Sequence, residues 1–388
     1  MWKKVLAVCL LALLFAGCSK KEVSGIVYVN LEQNSDQYVA GEDHQPYWND
    51  SGATFAGMIT KAEEGYYHYD WSRRLLCYYD LQTAQSVPLC NQPDCEHDDE
   101  NCNGYIDYET TIDCLKYYYG YLYVIGRNKN DVCVYRISRD GTVRENIGTI
   151  VTVEGRCVAS CVVHRGYVYY AMHSSTVSED GVKIYRFCLN GNEEVEVIYT
   201  SKSRAGGEVK LSAFGNYLYV RESYPSASEY IGEVYRYQIH DATVEKVADG
   251  IWRGFAVNGN VLYYDNGTQI MARDLETGTE TVVIENGMPV YMIHDGRWLI
   301  CDNGCGIWLS GGDYSQRSIT VYDCEAKKTV AVIPLEGEIS ECVGSDGENI
   351  IAMIPEKEAD GNSYVEKLYL CSIEKAKEGR MDWVSFYP

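Results

Sequence analysis

Positive charge is in short supply in this chain of 388 residues: 34 Lys and Arg stand against 56 Asp and Glu, a formal net of −22. Such a surface repels phosphate backbones and anionic headgroups, which argues against nucleic acid as a partner and against basic patches as a means of holding a membrane. Apolar runs of membrane length are also lacking. The N-terminal one, Val5 to Phe15, has 11 residues, short of the roughly 20 a bilayer span needs. No segment has the periodicity of an amphipathic helix of several turns, the nearest being Ser372 to Gly379. Catalytic signatures are missing too. There is no Gly-x-Ser-x-Gly elbow, no His-Glu-x-x-His, no phosphate-binding Gly-rich loop and no Asp-x-Asp-x-Asp-Gly calcium loop. The seven histidines, at 44, 68, 97, 164, 173, 240 and 294, are scattered.

The N-terminus is the first thing present. Two lysines, the apolar run and a small-residue pair precede Cys18, the pattern of an export signal rather than a membrane helix. Leu14-Phe15-Ala16-Gly17-Cys18 resembles the lipobox of bacterial lipoproteins, with phenylalanine where leucine is usual at the third position before the cysteine. The resemblance implies residues 1–17 as a signal peptide, lipidation at Cys18, and anchorage to the outer face of the bacterial cytoplasmic membrane. Acyl chains on Cys18 would then be the only hold on the membrane. Residues 18–50 are polar and are expected to act as a tether, with a strand-like run at Gly25 to Asn30.

Beyond residue 50 the chain repeats. Val134-Tyr135-Arg136, Ile184-Tyr185-Arg186 and Val234-Tyr235-Arg236 place their tyrosines at 135, 185 and 235, 50 residues apart. Each follows an aromatic couplet, at Tyr121-Leu122-Tyr123, Tyr167-Val168-Tyr169-Tyr170 and Tyr217-Leu218-Tyr219. Short alternating runs of Tyr, Val, Leu and Ile suit pleated strands. Asp140-Gly141 and Asn190-Gly191 supply the turn after the tripeptide strand. Weaker copies begin at Tyr66, Val261, Trp298 and Asn349, which makes seven. Strand units repeating every 40 to 50 residues fit an all-β fold, a β-propeller of seven blades over residues 51–388, with six or eight as the alternatives. The run from Asp382 to Tyr387, or that at Gly25 to Asn30, is expected to complete a blade begun by the other terminus.

One interval is stretched, to 57 residues from Tyr78 to Tyr135. It holds an insert at 90–102: Cys90-Asn-Gln-Pro-Asp-Cys95-Glu-His97-Asp-Asp-Glu-Asn-Cys102. Three thiols and an imidazole are the donor set of a structural zinc site, but the spacing Cys-x4-Cys-x-His-x4-Cys follows no common zinc finger. A disulfide from Cys90 or Cys95 to Cys102, or free thiols, is the competing reading. Four protein ligands would leave no open coordination position, so a catalytic metal is disfavoured. Of the 16 cysteines, Cys77, Cys133, Cys188, Cys324 and Cys371 fall in or beside tripeptide strands, where cysteine acts as a small buried hydrophobe. Cys157 with Cys161 and Cys301 with Cys305 are closely spaced and open to bridging.

Leu262-Tyr263-Tyr264-Asp265, followed by Ile270, Arg273 and Leu275, is similar to the repeat of low-density-lipoprotein-receptor type (Tyr-Trp-Thr-Asp) propellers. Taken with the lipobox and the Cys/His loop, residues 60 to 385 resemble the uncharacterised propeller lipoproteins of anaerobic Gram-positive bacteria. That resemblance implies a fold and a location and carries no catalytic residues with it. The expected function is a monomeric, surface-anchored, non-catalytic ring that binds or scaffolds an extracellular glycan, peptide or envelope protein. The alternative is a propeller enzyme of glycosidase, lyase or peptidase type, since fold does not fix function. The loops that vary most between copies, Ser174 to Gly181, Tyr224 to Gly232 and Cys305 to Gln316, are expected on one face of the ring. Their aromatics, Tyr224, Tyr230, Trp308 and Tyr314, are the candidate ligand contacts.

Overall fold

Every copy of the sequence repeat becomes the second and third strands of a four-stranded antiparallel meander, and there are seven such meanders. The computed structural model describes residues 56–387 apart from 155–156, 175–180, 192, 203–206, 226–229, 286–290, 304–316, 336–340 and 358–363. Blade 1 comprises Ile59–Lys61, Gly65–Asp70, Leu75–Asp80 and Gln85–Pro88, and blade 2 comprises Thr110–Tyr118, Tyr121–Asn128, Asp131–Ser138 and Arg144–Thr152. Blade 3 runs through Cys157–His164, Tyr167–Ser174, Lys183–Cys188 and Glu196–Thr200, and blade 4 through Val209–Phe214, Tyr217–Pro225, Tyr230–Gln238 and Val244–Ile251. Blade 5 is Phe255–Asn258, Val261–Asp265, Ile270–Asp274 and Glu280–Ile284; blade 6 is Tyr291–Asp295, Trp298–Asp302, Ser318–Asp323 and Lys328–Pro334. Blade 7 is Glu341–Ser345, Asn349–Lys357, Tyr364–Ser372 and Val384–Ser385.

First strands of successive blades lie side by side around the axis, and that of blade 7 meets the 3-10 turn Ala56–Met58 that leads into blade 1. The ring is therefore a closed seven-bladed β-propeller. Each of its seven seams has its own apolar core, such as Leu76, Leu122 and Ile137 between blades 1 and 2, or Val257, Leu262 and Val234 between blades 4 and 5. A blade is covered on both faces, which is why its second strand reads as a nearly unbroken apolar run; all six residues of Gly65–Asp70 are buried. Fourth strands face solvent and alternate, as in Gln85–Pro88.

The Tyr-Arg rhythm has a packing cause. Arg136, Arg186 and Arg236 each lie over the tyrosine that opens the preceding strand, Tyr121, Tyr167 and Tyr217, at 5.2, 5.1 and 4.6 Å. Each also pairs with a glutamate of the fourth strand, Glu145, Glu196 or Glu245. Blade 5 keeps the ion pair, Arg273 with Glu280 at 2.7 Å, without the tyrosine. The aspartates that end third strands close the following turn, as where Asp274 Oδ1 accepts from the backbone of Glu276 and Thr277 at 3.0 and 2.8 Å. The helix-like segment near the C-terminus is a single turn, Ile373–Lys377, capped by Ser372.

Closure departs from expectation. The run after Asp382 does complete a blade, but blade 7's other three strands directly precede it in the chain, so no strand is exchanged between the termini in that blade. Gly25 to Asn30 lies outside the described residues. The seam between blades 7 and 1 is instead fastened by side chains. Phe386, fully buried, stacks on Tyr79 at 4.3 Å and touches Tyr66 at 5.5 Å. Asp346 of blade 7 accepts from Lys61 Nζ at 2.7 Å and from the Tyr66 hydroxyl.

Antiparallel meanders in a ring divide their connections by face. Connections between second and third strands, and between one blade and the next, leave on one side; the remaining turns leave on the other. On the second side first and second strands are joined by two or three residues, as at 119–120, 165–166, 215–216, 259–260 and 296–297, and third and fourth strands by four to seven, apart from 373–383 in blade 7. The first side carries the two longest connections, 89–109 and 303–317, together with 175–182 and 201–208.

Candidate metal centre

The Cys/His insert leaves blade 1 at the end of its fourth strand and returns along the edge of its third. Leu89 N donates to Leu76 O at 2.8 Å, Leu76 N to Gly104 O at 2.8 Å, and Ile106 N to Arg74 O at 2.9 Å, with Leu75 and Tyr105 bridged antiparallel. Both legs are thus zipped to one strand. Between them the loop folds on itself: Cys95 N donates to Gln92 O at 3.3 Å, Cys102 N to Asp99 O at 3.1 Å, and Gln92 Nε2 to Asn101 O at 3.0 Å. His97 adopts φ 61°, a left-handed conformation that histidine tolerates better than most residues.

These turns bring Cys90, Cys95, His97 and Cys102 together, with one ligand atom from each lying within 4.8 Å of all the others. Donors about 2.0–2.3 Å from a tetrahedral zinc lie under 4 Å apart, so a small contraction completes the shell. His97 Nδ1 already sits 3.4 Å from Cys102 Sγ. The three cysteines are free thiols, an arrangement compatible with either the metal or the free-thiol reading. Cys102 is buried and packs with Cys77 and Leu75, while Cys90, Cys95 and His97 are half-buried.

Electrostatics distinguish the thiols. Burial works to raise Cys90, but the backbone N–H of Gln92, the Cys95 and Cys102 thiols and the Asn103 N–H donate to its sulfur and hold it below the ordinary thiol range. Burial pushes Cys102 up to about 12, against the N–H of Gly104 and with the help of Cys90 and Cys95. Backbone donors aimed at sulfur stabilise the thiolate form, which is the form that ligates metal. Donor number, softness and convergence fit a closed four-coordinate ion such as zinc, and leave no ligand position for substrate.

The other candidate residues fall elsewhere. Tyr224 and Tyr230 lie on paired strands near the hairpin end of blade 4, at register positions opposite Ile231 and Pro225 respectively, and their side chains lie outside the described residues. Trp308, Tyr314 and Cys18 also lie outside them. All three variable loops join second to third strands, in blades 3, 4 and 6, and so belong to the same side of the ring. Cys77, Cys133, Cys188 and Cys371 are buried as expected, with Cys324 half-buried. What sequence reasoning missed is how the insert grips the next blade. Arg144 Nη1 donates to Tyr105 O at 2.6 Å, and Asn103 Nδ2 to Gly141 O. Arg74 Nε donates to Ile106 O at 2.8 Å, and its Nη2 reaches Thr110 O at 3.3 Å. The one sequence signal for this contact was Gly141 itself, read only as a turn residue.

No protein-family model and no curated protein matches the chain. Among solved structures it is similar to one of two prolyl endopeptidases, with 12% identity over 86% of this chain and a TM-score of 0.52, though it spans only 48% of that protein. A chain in a mitotic checkpoint complex is similar over 91% of this chain and 94% of its own length, with 11% identity and a TM-score of 0.50. An oligogalacturonate lyase in complex with manganese aligns over 64% of this chain and 73% of its own, at 11% identity and a TM-score of 0.46. At such identities the likeness bears on the fold alone, and the fold is a seven-bladed β-propeller.

Proposed function

We propose that this protein is an exported ring, held through lipid on Cys18 at the outer face of a bacterial cytoplasmic membrane, that binds an extracellular glycan, peptide or envelope protein without transforming it. The observation that carries the reading is the asymmetry of the ring. Its two longest connections, 89–109 and 303–317, lie on one side together with 175–182 and 201–208, whereas on the other side only 373–383 exceeds seven residues, so one side has more chain length to shape a binding surface. The net charge of −22 favours neutral or cationic ligands and leaves attachment to lipid. In the same ring Cys90, Cys95, His97 and Cys102 hold a structural zinc, which contributes folding energy to the insert rather than chemistry.

A glycan and peptide binding screen on the soluble ring from about residue 50, paired with pull-down of the anchored chain from its native membrane, tests the binding role. Saturable capture of a glycan, peptide or stoichiometric envelope protein supports it. Turnover of a captured polymer by the purified ring would replace it with an enzyme. Cys18→Ser is expected to move the chain from the membrane to the soluble fraction; retention at the membrane would overturn the lipid anchor.

A further inference from the structure

We infer that metal at the Cys90–Cys95–His97–Cys102 centre acts as a latch on the seam between blades 1 and 2, so that its occupancy sets the local stability of that part of the ring. The inference rests on the metal reading above and goes beyond it, from holding a loop to holding two blades together.

The ligands are continuous with the seam. Leu89, immediately before Cys90, is 4% exposed, and Ile106, four residues after Cys102, is fully buried. Both belong to the apolar core shared by Met58, Tyr67 and Leu76 of blade 1 and its lead-in with Ile112, Leu122 and Ile137 of blade 2. The first and last ligands therefore sit one and four residues from side chains wedged between the blades. Part of the hydrogen bonding across the seam starts from the same short stretch, Asn103 to Gly141 O and Tyr105 O from Arg144, while Arg74 spans from blade 1 to Thr110 O at the first strand of blade 2; Tyr67 Oη to Arg139 O and Tyr117 N to Thr60 Oγ1 cross it independently of the insert. Gly141 leaves no slack at this contact, since a Cβ there would stand 2.5 Å from Leu89 O.

Apart from an ion, the loop between its zipped legs is held by hydrogen bonds such as Cys95 N to Gln92 O, Cys102 N to Asp99 O and Gln92 Nε2 to Asn101 O, each with at least one exposed partner. Its 13 residues include five acids, Asp94, Glu96, Asp98, Asp99 and Glu100, which are exposed and repel one another. Among the described residues the apolar cluster of the insert amounts to the three ligand cysteines with Leu75, Cys77 and Tyr105. Metal binding gathers the three sulfurs and the imidazole on one centre, fixes Asn103 and Tyr105 by their proximity to Cys102, and so presents both to blade 2. Because the unfolded loop has no preformed site, the binding energy appears as stability of the loop and of what it grips.

The test is hydrogen exchange on the full chain, metal-loaded and after removal of metal by a strong chelator, with metal content measured alongside and zinc then added back. We expect one ion per chain. Removal should raise exchange at least tenfold in 89–110 and 139–144, leave blade 5 (255–284) unchanged, and be reversed by zinc. Cys95→Ser and His97→Ala should reproduce the metal-free pattern, and Asp98→Asn should not. If neither ligand variant yields folded protein, the chelation and add-back series on the natural sequence decides. Absence of stoichiometric metal in protein prepared without oxidation would overturn the metal reading itself. Stoichiometric metal with unchanged exchange at 139–144 would overturn only the latch.

Discussion

Replacing Phe386 with alanine should loosen the ring at its closing seam. Phe386 is fully buried, stacks on Tyr79 at 4.3 Å with ring planes 13° apart, and also meets Tyr66 and the edge of His68 at 5.5 and 5.4 Å. A buried Phe→Ala change costs roughly 3–5 kcal/mol through lost transfer energy and an unfilled cavity. Phe386 follows a strand of only two residues, Val384–Ser385, so local detachment of that strand limits the damage and the loss should sit near 3 kcal/mol. Urea unfolding followed by tryptophan fluorescence measures it, with hydrogen exchange in 364–387 and 57–70 locating it on both sides of the seam. Combining Phe386→Ala with Tyr79→Ala should reveal coupling of about 0.5–1.5 kcal/mol, the usual worth of an aromatic pair. Val384→Ala, at a 44% exposed position, is the control and should stay within about 0.5 kcal/mol. A loss below about 1 kcal/mol for Phe386→Ala, with exchange in 57–70 unchanged, would refute the idea that this stack closes the ring.

Acid should weaken the same seam. Burial holds the His68 imidazole at about 4, with the Asp70 carboxylate opposing that shift and Arg73 adding to it, and its nitrogens face Ser86 and the Tyr387 hydroxyl. The unfolded chain takes up the proton near pH 6.5 and the folded one only near pH 4, so stability is full above that window and declines as pH falls through it. His68→Gln should flatten the urea-midpoint profile between those pH values, and an unaltered slope would discard His68 as the cause. Gly141→Ala meets both a φ of +69° and the Leu89 carbonyl, and should cost more than Gly215→Ala, whose φ of +57° opens on free space. Equal losses in thermal unfolding would show that the tight contact does not matter. Arg136→Met, Arg186→Met and Arg236→Met should each cost under about 1 kcal/mol and add within about 0.5 kcal/mol when combined, since each acts inside its own blade; strong non-additivity would show that the stacks communicate.

The repeat was legible because each blade solves the same packing problem with the same residues. Tyr121, Arg136 and Glu145 form one stack, and their counterparts in blades 3 and 4 form the same stack again, so the 50-residue spacing is the imprint of a recurring contact. The fainter copies were legible through strand periodicity alone, and Trp298, Asn349 and Tyr66 all fall in second strands as expected. First strands were harder to see. Polar residues such as Thr60 and Ser160 are buried in them by accepting hydrogen bonds from a neighbouring blade's backbone, Thr60 Oγ1 from Tyr117 N and Ser160 Oγ from Leu211 N, and this breaks the apolar signature that marks the second strands.

By itself the sequence determined the strand units, the turn chemistry and the donor set at 90–102, and favoured seven units over six or eight, all of which rest on neighbours close along the chain. Only the tertiary structure decided what distant segments do to one another. It placed Phe386 against Tyr79, 307 positions earlier, and kept blade 7 within one stretch of chain. It brought four donors within 4.8 Å of one another and set Asn103, Tyr105 and Arg144 across a seam. Periodicity records which face of a strand is covered. Which partner covers it is fixed by closing the ring, and that geometry is a property of all seven blades together.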